Sequence, residues 1–205
     1  MTDYTTLQAD VAAWLAKDSL TAVIPSFIRL AEVRIRRDVR IRQMSKRART
    51  TGEATRFISL PNDYLELRTL RLVNDSGEPI PLDETEPDSL SVRSTSGGNP
   101  TSYCVHRELE FDAVVPRTTS IEMVYYGPFE SLATASTNWL SENAEDVYLY
   151  GALMQAEPYL KNDDRIDTWA NGYLGAVDAV NEADKRARRS RGGRALSMTR
   201  GGVTP

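Results

Sequence analysis

Cys104 and His106 are the first residues to consider for chemistry, because they are the only cysteine and the only histidine of the chain. In a strand, a spacing of two places both side chains on one face of the sheet, where a cysteine–histidine dyad is conceivable. No nucleophile motif lies nearby, so a packing or surface role is favoured for both. One cysteine and one histidine also exclude an internal disulfide and predict that no cysteine- or histidine-based metal site exists.

Carboxylates and glycines give no stronger indication of catalysis. The acidic pairs Glu145-Asp146 and Asp163-Asp164 stand where helices are expected to begin, and acids there interact favourably with the helix dipole. Gly97-Gly98 lacks the lysine and the following helix of a phosphate-binding loop. The serine motifs of hydrolases and β-lactamases are absent. The sequence therefore predicts no catalytic residue, metal or cofactor, and favours a binding or assembly protein over an enzyme.

Positive charge is concentrated in two stretches of a chain whose net charge is −4. Nine Lys/Arg residues and only two acids lie between Arg29 and Arg49, and seven Lys/Arg residues without an acid lie from Lys185 onward. The rest of the chain is therefore strongly acidic. Such segregation is typical of nucleic-acid binding, and equally of contacts in which the basic side of one copy meets the acidic side of the next.

Two amphipathic helices are predicted near the N-terminus, over residues 5–16 and from about Pro25 onward, since proline suits a first helical turn. The apolar stripe of the second helix consists of Phe27, Ile28, Ala31, Ile35 and Val39. Its arginines fall on other faces. The sequence leaves three roles open for these arginines: a solvated surface, an interface with an acidic partner, or direct nucleic-acid binding. The last is the least favoured, because no aromatic residue is interleaved to stack on bases.

Between residues 46 and 127 the pattern changes to that of about five or six antiparallel strands. The predicted strands include residues 56–60, 65–72, 103–105, 109–111 and 121–126. A hairpin turn is predicted at residues 74–77, a short helix over residues 83–92 and a mobile loop over residues 94–100.

A long helical hairpin is predicted from Trp139 to Arg191, with a polar turn at residues 162–164 that makes its two helices antiparallel. Apolar residues with helical spacing are Val147, Tyr150, Leu153 and Met154 in the first helix, and Ile166, Trp169, Tyr173, Leu174, Val177 and Val180 in the second. The glycine- and arginine-rich tail cannot bury enough surface to fold alone. It is either disordered or an arm that orders on a partner, with Leu196 and Met198 as anchors.

The predicted fold class is α+β: a helical bundle, formed by two N-terminal helices and the long C-terminal helical hairpin, with an inserted antiparallel β-rich region. The predicted domains are residues 1–45 for the N-terminal helices, 46–130 for the β-rich insertion, 131–190 for the hairpin and 191–205 for the basic flexible tail. No apolar run approaches the roughly 20 residues that span a bilayer. The polar, acidic N-terminus indicates no secretory signal.

At the level of short sequence motifs, the chain resembles the head-to-tail adaptor (connector) proteins of short-tailed bacteriophages, the tail-tubular-protein-A-like family. The resemblance is carried by packing and turn motifs that together span nearly the whole chain. These are LQADVAAWL at 7–15, IPSFIRLAE at 24–32, LPNDYLELR at 60–68, YYGP at 125–128, TNWL at 137–140 and DVYLYGAL at 146–153, ending at Tyr159-Leu160. The family has no catalytic motif to transfer to this chain.

The resemblance implies a structural virion protein, assembled in the host cytoplasm, that forms a ring in the neck between the portal and the tail. The implied ring is usually a dodecamer and surrounds the DNA exit channel. The implied partners are other copies, the portal protein, tail nozzle or tube proteins, and double-stranded DNA that passes without sequence-specific binding; no membrane is implied. The helical parts would contact the portal and each other, and the β-rich insertion would face the tail nozzle.

The two basic stretches supply the candidate interface residues for this role. They are Arg29, Arg36, Arg37, Arg40, Arg188, Arg189, Arg191, Arg194, Leu196 and Met198. The alternative hypothesis, from a different class, is a DNA-binding module that uses residues 29–49 and the basic C-terminal tail.

Overall fold

The computed structural model describes residues 2–16, 20–93, 99–160 and 165–192, with side chains in the last range as far as Arg189. The chain forms two compact units, one of Met1–Gln43 with Phe129–Pro205 and one of Met44–Pro128. Helices make up the first unit and strands the second, which confirms the α+β class. None of the described helices combines the length and the apolar character needed to cross a lipid bilayer.

The helical unit begins with α1 (Tyr4–Leu15) and α2 (Ile24–Asp38). The carboxylate of Asp3 caps α1 by accepting a hydrogen bond from the Thr6 amide at 2.7 Å. Pro25 lies in the first turn of α2, as the sequence predicts. The predicted apolar stripe of α2 is confirmed, because all five of its residues are buried.

The remaining helices are α3 (Leu132–Ala135), α4 (Trp139–Asn143), α5 (Glu145–Leu160) and α6 (Ile166–Gly192). The hairpin's first helix is thus preceded by a separate short helix, contrary to the prediction of one continuous helix from Trp139. A capping box between Asn138 and Ser141 starts α4, and Ala144 interrupts the helical backbone. The predicted turn at residues 162–164 lies outside the described residues.

α5 occupies the middle of the helical unit, where it packs against α1, α2, α4 and α6. Its buried residues therefore lie all round the helix rather than on one stripe: Val147, Tyr148, Gly151, Ala152, Leu153, Met154, Ala156 and Glu157. Tyr150, predicted to belong to an apolar stripe, is half-buried and packs with Trp14 and Trp169 in an aromatic cluster.

The β-rich unit consists of two four-stranded sheets. The first has the strand order β1 (Ser45–Thr51), β8 (Ser120–Tyr126), β3 (Glu66–Val73) and β4 (Pro79–Ile80). The second has the order β2 (Thr55–Ser59), β7 (Glu108–Val115), β6 (Ser102–Val105) and β5 (Asp83–Glu84). One apolar cluster takes side chains from both sheets, including Leu72 and Ile121 from the first and Leu109 and Phe111 from the second.

The β-rich unit differs from the prediction at three points. β1 was not predicted, because its sequence SKRARTT has no apolar alternation and the strand lies at a sheet edge. The predicted short helix over residues 83–92 is wrong: that segment contains β5 and a single 3₁₀ turn, Pro87–Ser89. β5 pairs with β6 in parallel, so the sheet is not wholly antiparallel.

The predicted hairpin turn between β3 and β4 is confirmed, with the Asn74 side chain accepting hydrogen bonds from the Ser76 and Glu78 amides. In the predicted loop, residues 94–98 lie outside the described residues.

Two turn glycines of this unit give a stability test. A Cβ at Gly52 would lie 2.1 Å from the carbonyl oxygen of Pro116, whereas a Cβ at Gly77, where φ is +80°, would meet nothing within 4 Å. Gly52→Ala is expected to lower the free energy of unfolding by about 3 kcal/mol, because backbone must move. Gly77→Ala is expected to cost about 1 kcal/mol, from backbone strain alone. Urea denaturation compares the two, and equal losses would contradict the close packing at Gly52.

Candidate functional site

Cys104 and His106 do lie close together, and a third residue that the sequence analysis did not indicate, Glu110, lies beside them. Cys104 on β6 is opposite Glu110 on β7, and His106 Nε2 lies 3.1 Å from Glu110 Oε2. The three possible ligand atoms all lie within 4.8 Å of one another. Glu110 was missed because strand pairing cannot be derived from the spacing of Cys104 and His106.

This cluster is poorly suited to nucleophilic or metal chemistry. Burial raises the pKa of the Cys104 thiol, the Glu110 carboxylate raises it further, and Arg56 only partly opposes them. A reactive cysteine needs the opposite shift. The Glu110 carboxylate is already paired, with Arg56 Nη2 2.6 Å from its Oε1. Three ligands are also fewer than the four of a structural zinc site, and the open three-ligand site of a catalytic zinc would need the Glu110 carboxylate that Arg56 already engages. The cluster is best described as an ion-paired group on the sheet.

The outer face of α2 carries the candidate arginines. Arg29, Arg36 and Arg37 are exposed, and within the described part of the chain none of them forms an ion pair. Two aliphatic side chains lie on the same side of the helix, Leu30 and Val33, each 41% exposed. We call these five residues the basic α2 face.

Glu32 and Asp38, the two acids of α2, do not neutralise the basic α2 face, because both accept hydrogen bonds from residues inside the helical unit. Glu32 accepts hydrogen bonds from the Ser131 hydroxyl and the Leu132 amide at the start of α3, both at 2.8 Å. Asp38 accepts from the Tyr173 hydroxyl at 3.0 Å and from Arg34 Nε at 3.3 Å. The charge of Arg29, Arg36 and Arg37 therefore remains available to a partner.

Arg40 and Arg188 differ from those three arginines, because each already has partners in the chain. Arg40 Nη1 donates to the carbonyl oxygens of Arg36 and Val39, both at 2.8 Å. Arg188 Nη2 lies 2.6 Å from Asp184 Oδ2. Arg189 is exposed at the end of α6. The other candidates, the Arg191 side chain, Arg194, Leu196 and Met198, lie outside the described residues.

The outer side of α6 carries an acidic stripe that the sequence analysis did not single out. Asp167, Leu174, Asp178 and Glu182 follow one another at helical spacings and are all exposed. We call these four residues the acidic α6 face. Leu174 was predicted to be buried with Tyr173, but it points about 100° away from that residue and is 47% exposed. The same spacing of the three acids was visible in the sequence and is the signal that would have found the face.

Only one acid of this face has a cation in the described residues. Lys185 Nζ lies 2.7 Å from Glu182 Oε1, and this hydrogen bond and the lysine charge lower the pKa of the Glu182 carboxyl. Asp167 and Asp178 form no ion pair with any residue that the structure describes. The helical unit thus presents unpaired charges of both signs on two different helices.

A family model described as SU10 adaptor protein matches residues 2–198, nearly the whole chain. The chain therefore belongs to the SU10 adaptor protein family. A search of curated proteins finds no significant match. Membership of this family confirms the resemblance to phage head-to-tail adaptors and indicates a structural component of the virion neck rather than an enzyme.

The buried carboxylate of Asp184 provides a test of how the segment after α2 is held. Asp184 is 6% exposed, and besides pairing with Arg188 it accepts a hydrogen bond from the Arg42 amide at 3.1 Å. Asp184→Ala is expected to lower the free energy of unfolding by about 2 kcal/mol, because a part-buried amide loses its acceptor. Asp178→Ala, on the exposed side of the same helix, is the matched control and should change stability by less than about 0.5 kcal/mol. Equal effects in thermal denaturation would contradict the anchoring role.

Proposed function

We propose that this chain is the head-to-tail adaptor of a phage neck and that its copies form a ring, a dodecamer, between the portal and the tail around the DNA exit channel. Its family supports the adaptor role. The observation that supports the ring is a pair of charged faces within one helical unit, on which Arg29, Arg36 and Arg37 of α2 and Asp167 and Asp178 of α6 have no ion-pair partner among the described residues. Complementary faces at two places on one molecule are what a closed head-to-tail ring requires.

In this proposal the helical unit is the bundle of two N-terminal helices and the C-terminal hairpin, and it contacts the neighbouring copies and the portal. The β-rich unit faces the tail nozzle and the tail tube proteins. Segregated charge suits this arrangement, because it steers association with a partner of opposite sign and disfavours contact between like faces. DNA passes through the ring and is not read in a sequence-specific way.

The C-terminal segment, residues 191–205, is proposed to be the arm that docks on the portal. It carries Arg191 and Arg194 with the apolar residues Leu196 and Met198, and no acid. A segment of this composition offers little apolar surface for a core of its own, so the proposal couples its docking to the portal.

The alternative function is a DNA-binding module, and the unpaired Arg29, Arg36 and Arg37 are the observation that favours it. Phosphate contacts by arginine produce strong, salt-dependent affinity. The acidic α6 face of the same unit disfavours this alternative, because Asp167 and Asp178 repel a polyanion. The family match also points to an adaptor.

Removal of residues 191–205 tests the docking arm. The truncated protein is expected to keep its melting temperature and to bind the portal protein of the same phage at least about tenfold more weakly. Leu196→Ser with Met198→Ser, which preserves length and charge, separates apolar anchoring from electrostatic attraction. Portal binding measured by calorimetry and by negative-stain microscopy gives the result, and undiminished affinity of the truncated protein would refute the role of the arm.

Binding to duplex DNA discriminates between the two functions. The adaptor is expected to show little affinity for DNA as a monomer at physiological salt. A DNA-binding module would lose affinity as salt rises, with a slope of log affinity against log salt of about −0.9 for each phosphate contacted. Fluorescence anisotropy over a salt series measures this slope. A steep slope that disappears in the variant Arg29→Ala, Arg36→Ala, Arg37→Ala would favour the alternative.

A further inference from the structure

We infer that, in the ring, the basic α2 face of one copy packs against the acidic α6 face of the next copy, with Val33 and Leu174 at the centre of the contact. This inference rests on the proposed ring and adds the identity of the two surfaces that meet. Its occupant is a second copy of the chain, because the complementary charges for each face are present on the other.

Exposed aliphatic side chains mark the middle of both faces. Leu30 and Val33 on α2 are each 41% exposed, and Leu174 on α6 is 47% exposed. Each is bordered by charged residues that have no described partner: Arg29, Arg36 and Arg37 on α2, and Asp167 and Asp178 on α6. An apolar centre with a polar border is the usual composition of an interface between proteins.

The spacing of charges along the two helices also matches. Arg37 lies four residues after Val33, and Asp178 lies four residues after Leu174, so each charge stands about 6 Å beyond its aliphatic neighbour. With Val33 opposite Leu174, Arg37 therefore lies opposite Asp178. Arg29 precedes Val33 by about 6 Å and Asp167 precedes Leu174 by about 10 Å, a difference that an arginine side chain can span.

This register requires the two helices to run in the same direction, and within one copy they do. On α2, Phe27 packs on Tyr159 and Ala31 lies nearest to Gly151 of α5, so these two helices are antiparallel. On α6, Trp169 donates to Glu157 and Tyr173 lies beside Gly151, so α5 and α6 are antiparallel as well. Two helices that are each antiparallel to α5 run in the same direction. Neighbouring copies of a dodecamer are related by a rotation of about 30°, which changes the direction of a helix by no more than that angle, so α2 of one copy and α6 of the next are also close to parallel.

The two faces do not satisfy each other within one copy. α2 and α6 already meet there through different residues, with Arg34 5.1 Å above the Tyr173 ring and Tyr173 bonded to Asp38. Val33 directly precedes Arg34, and Leu174 directly follows Tyr173, so each of these two side chains points about 100° away from its neighbouring contact residue. Their exposed sides are therefore accessible to a second molecule.

A charge exchange tests the pairing of Arg37 with Asp178. Arg37→Asp or Asp178→Arg alone is expected to reduce the fraction of protein in rings about tenfold at low salt, since like charges then face each other. The double variant Arg37→Asp, Asp178→Arg is expected to recover to within about threefold of the wild type. Arg117→Asp and Asp75→Arg, at exposed turn positions of the β-rich unit, are matched controls. Light scattering and ring counts by negative-stain microscopy, with and without portal protein, provide the measurement.

The outcomes separate this inference from the proposed function. Normal ring formation in both single variants would overturn the inference, and so would a double variant that does not recover ring formation. Neither outcome would contradict the proposed ring itself. Failure of the double variant to recover would assign these faces to the portal or another protein. A wild-type protein that forms no ring with or without portal overturns the proposed function and the inference with it.

Cysteine cross-linking provides a second test that does not depend on charge. The chain has a single cysteine, Cys104, which is buried, so background cross-linking is low. On oxidation of assembled protein, the double variant Val33→Cys, Leu174→Cys is expected to give a ladder of more than two subunits on a non-reducing gel. Each single variant is the control and should remain monomeric. Monomers or dimers alone from the double variant would contradict a head-to-tail contact.

Discussion

The helical unit depends on the close approach of α2, α5 and α6 at Gly151. A Cβ added there would lie 3.1 Å from the Ala31 Cβ and 3.4 Å from the Tyr173 ring, so glycine allows α5 to sit between its neighbours. α5 is covered by four helices, and its buried charged side chain, Glu157, accepts a hydrogen bond from Trp169 of α6. α2 and α6 become the outer layer, and their charges are directed away from the core.

The internal polar contacts decide which of those charges remain available. Glu32, Asp38 and Asp184 are engaged by α3, by Tyr173 and by the segment after α2, respectively. These bonds use the acids nearest to the arginines of α2, so the basic α2 face keeps its charge. Asp167 and Asp178 on the acidic α6 face keep their charge because α6 contacts α5 and the end of α2 through other residues. One copy is therefore complementary to another, which connects the packing of a single chain to a role in assembly.

Strong periodicity made part of the fold predictable. The stripe of α2 and the turn at Asn74 were predicted because local spacing and turn chemistry determine them. β1 was missed because an edge strand needs no apolar alternation, and Leu174 was misassigned because only the position of α5 shows which residues of α6 are covered. The candidate arginines could be identified from the sequence because Lys and Arg are concentrated in two stretches of it. The spacing of Asp167, Asp178 and Glu182 indicated the acidic stripe as well, but only the positions of the α6 side chains show that Asp167 and Asp178 have no described ion-pair partner.

The most direct test of the central claim, that oppositely charged helical faces of successive copies hold the adaptor ring together, is a cryo-electron microscopy reconstruction of the assembled neck at side-chain resolution. The account predicts a closed ring beneath the portal in which α2 of each copy lies parallel to α6 of the next, with Arg37 within ion-pair distance of Asp178. A ring whose α2 and α6 outer faces both contact solvent, or no ring at this position, would contradict it.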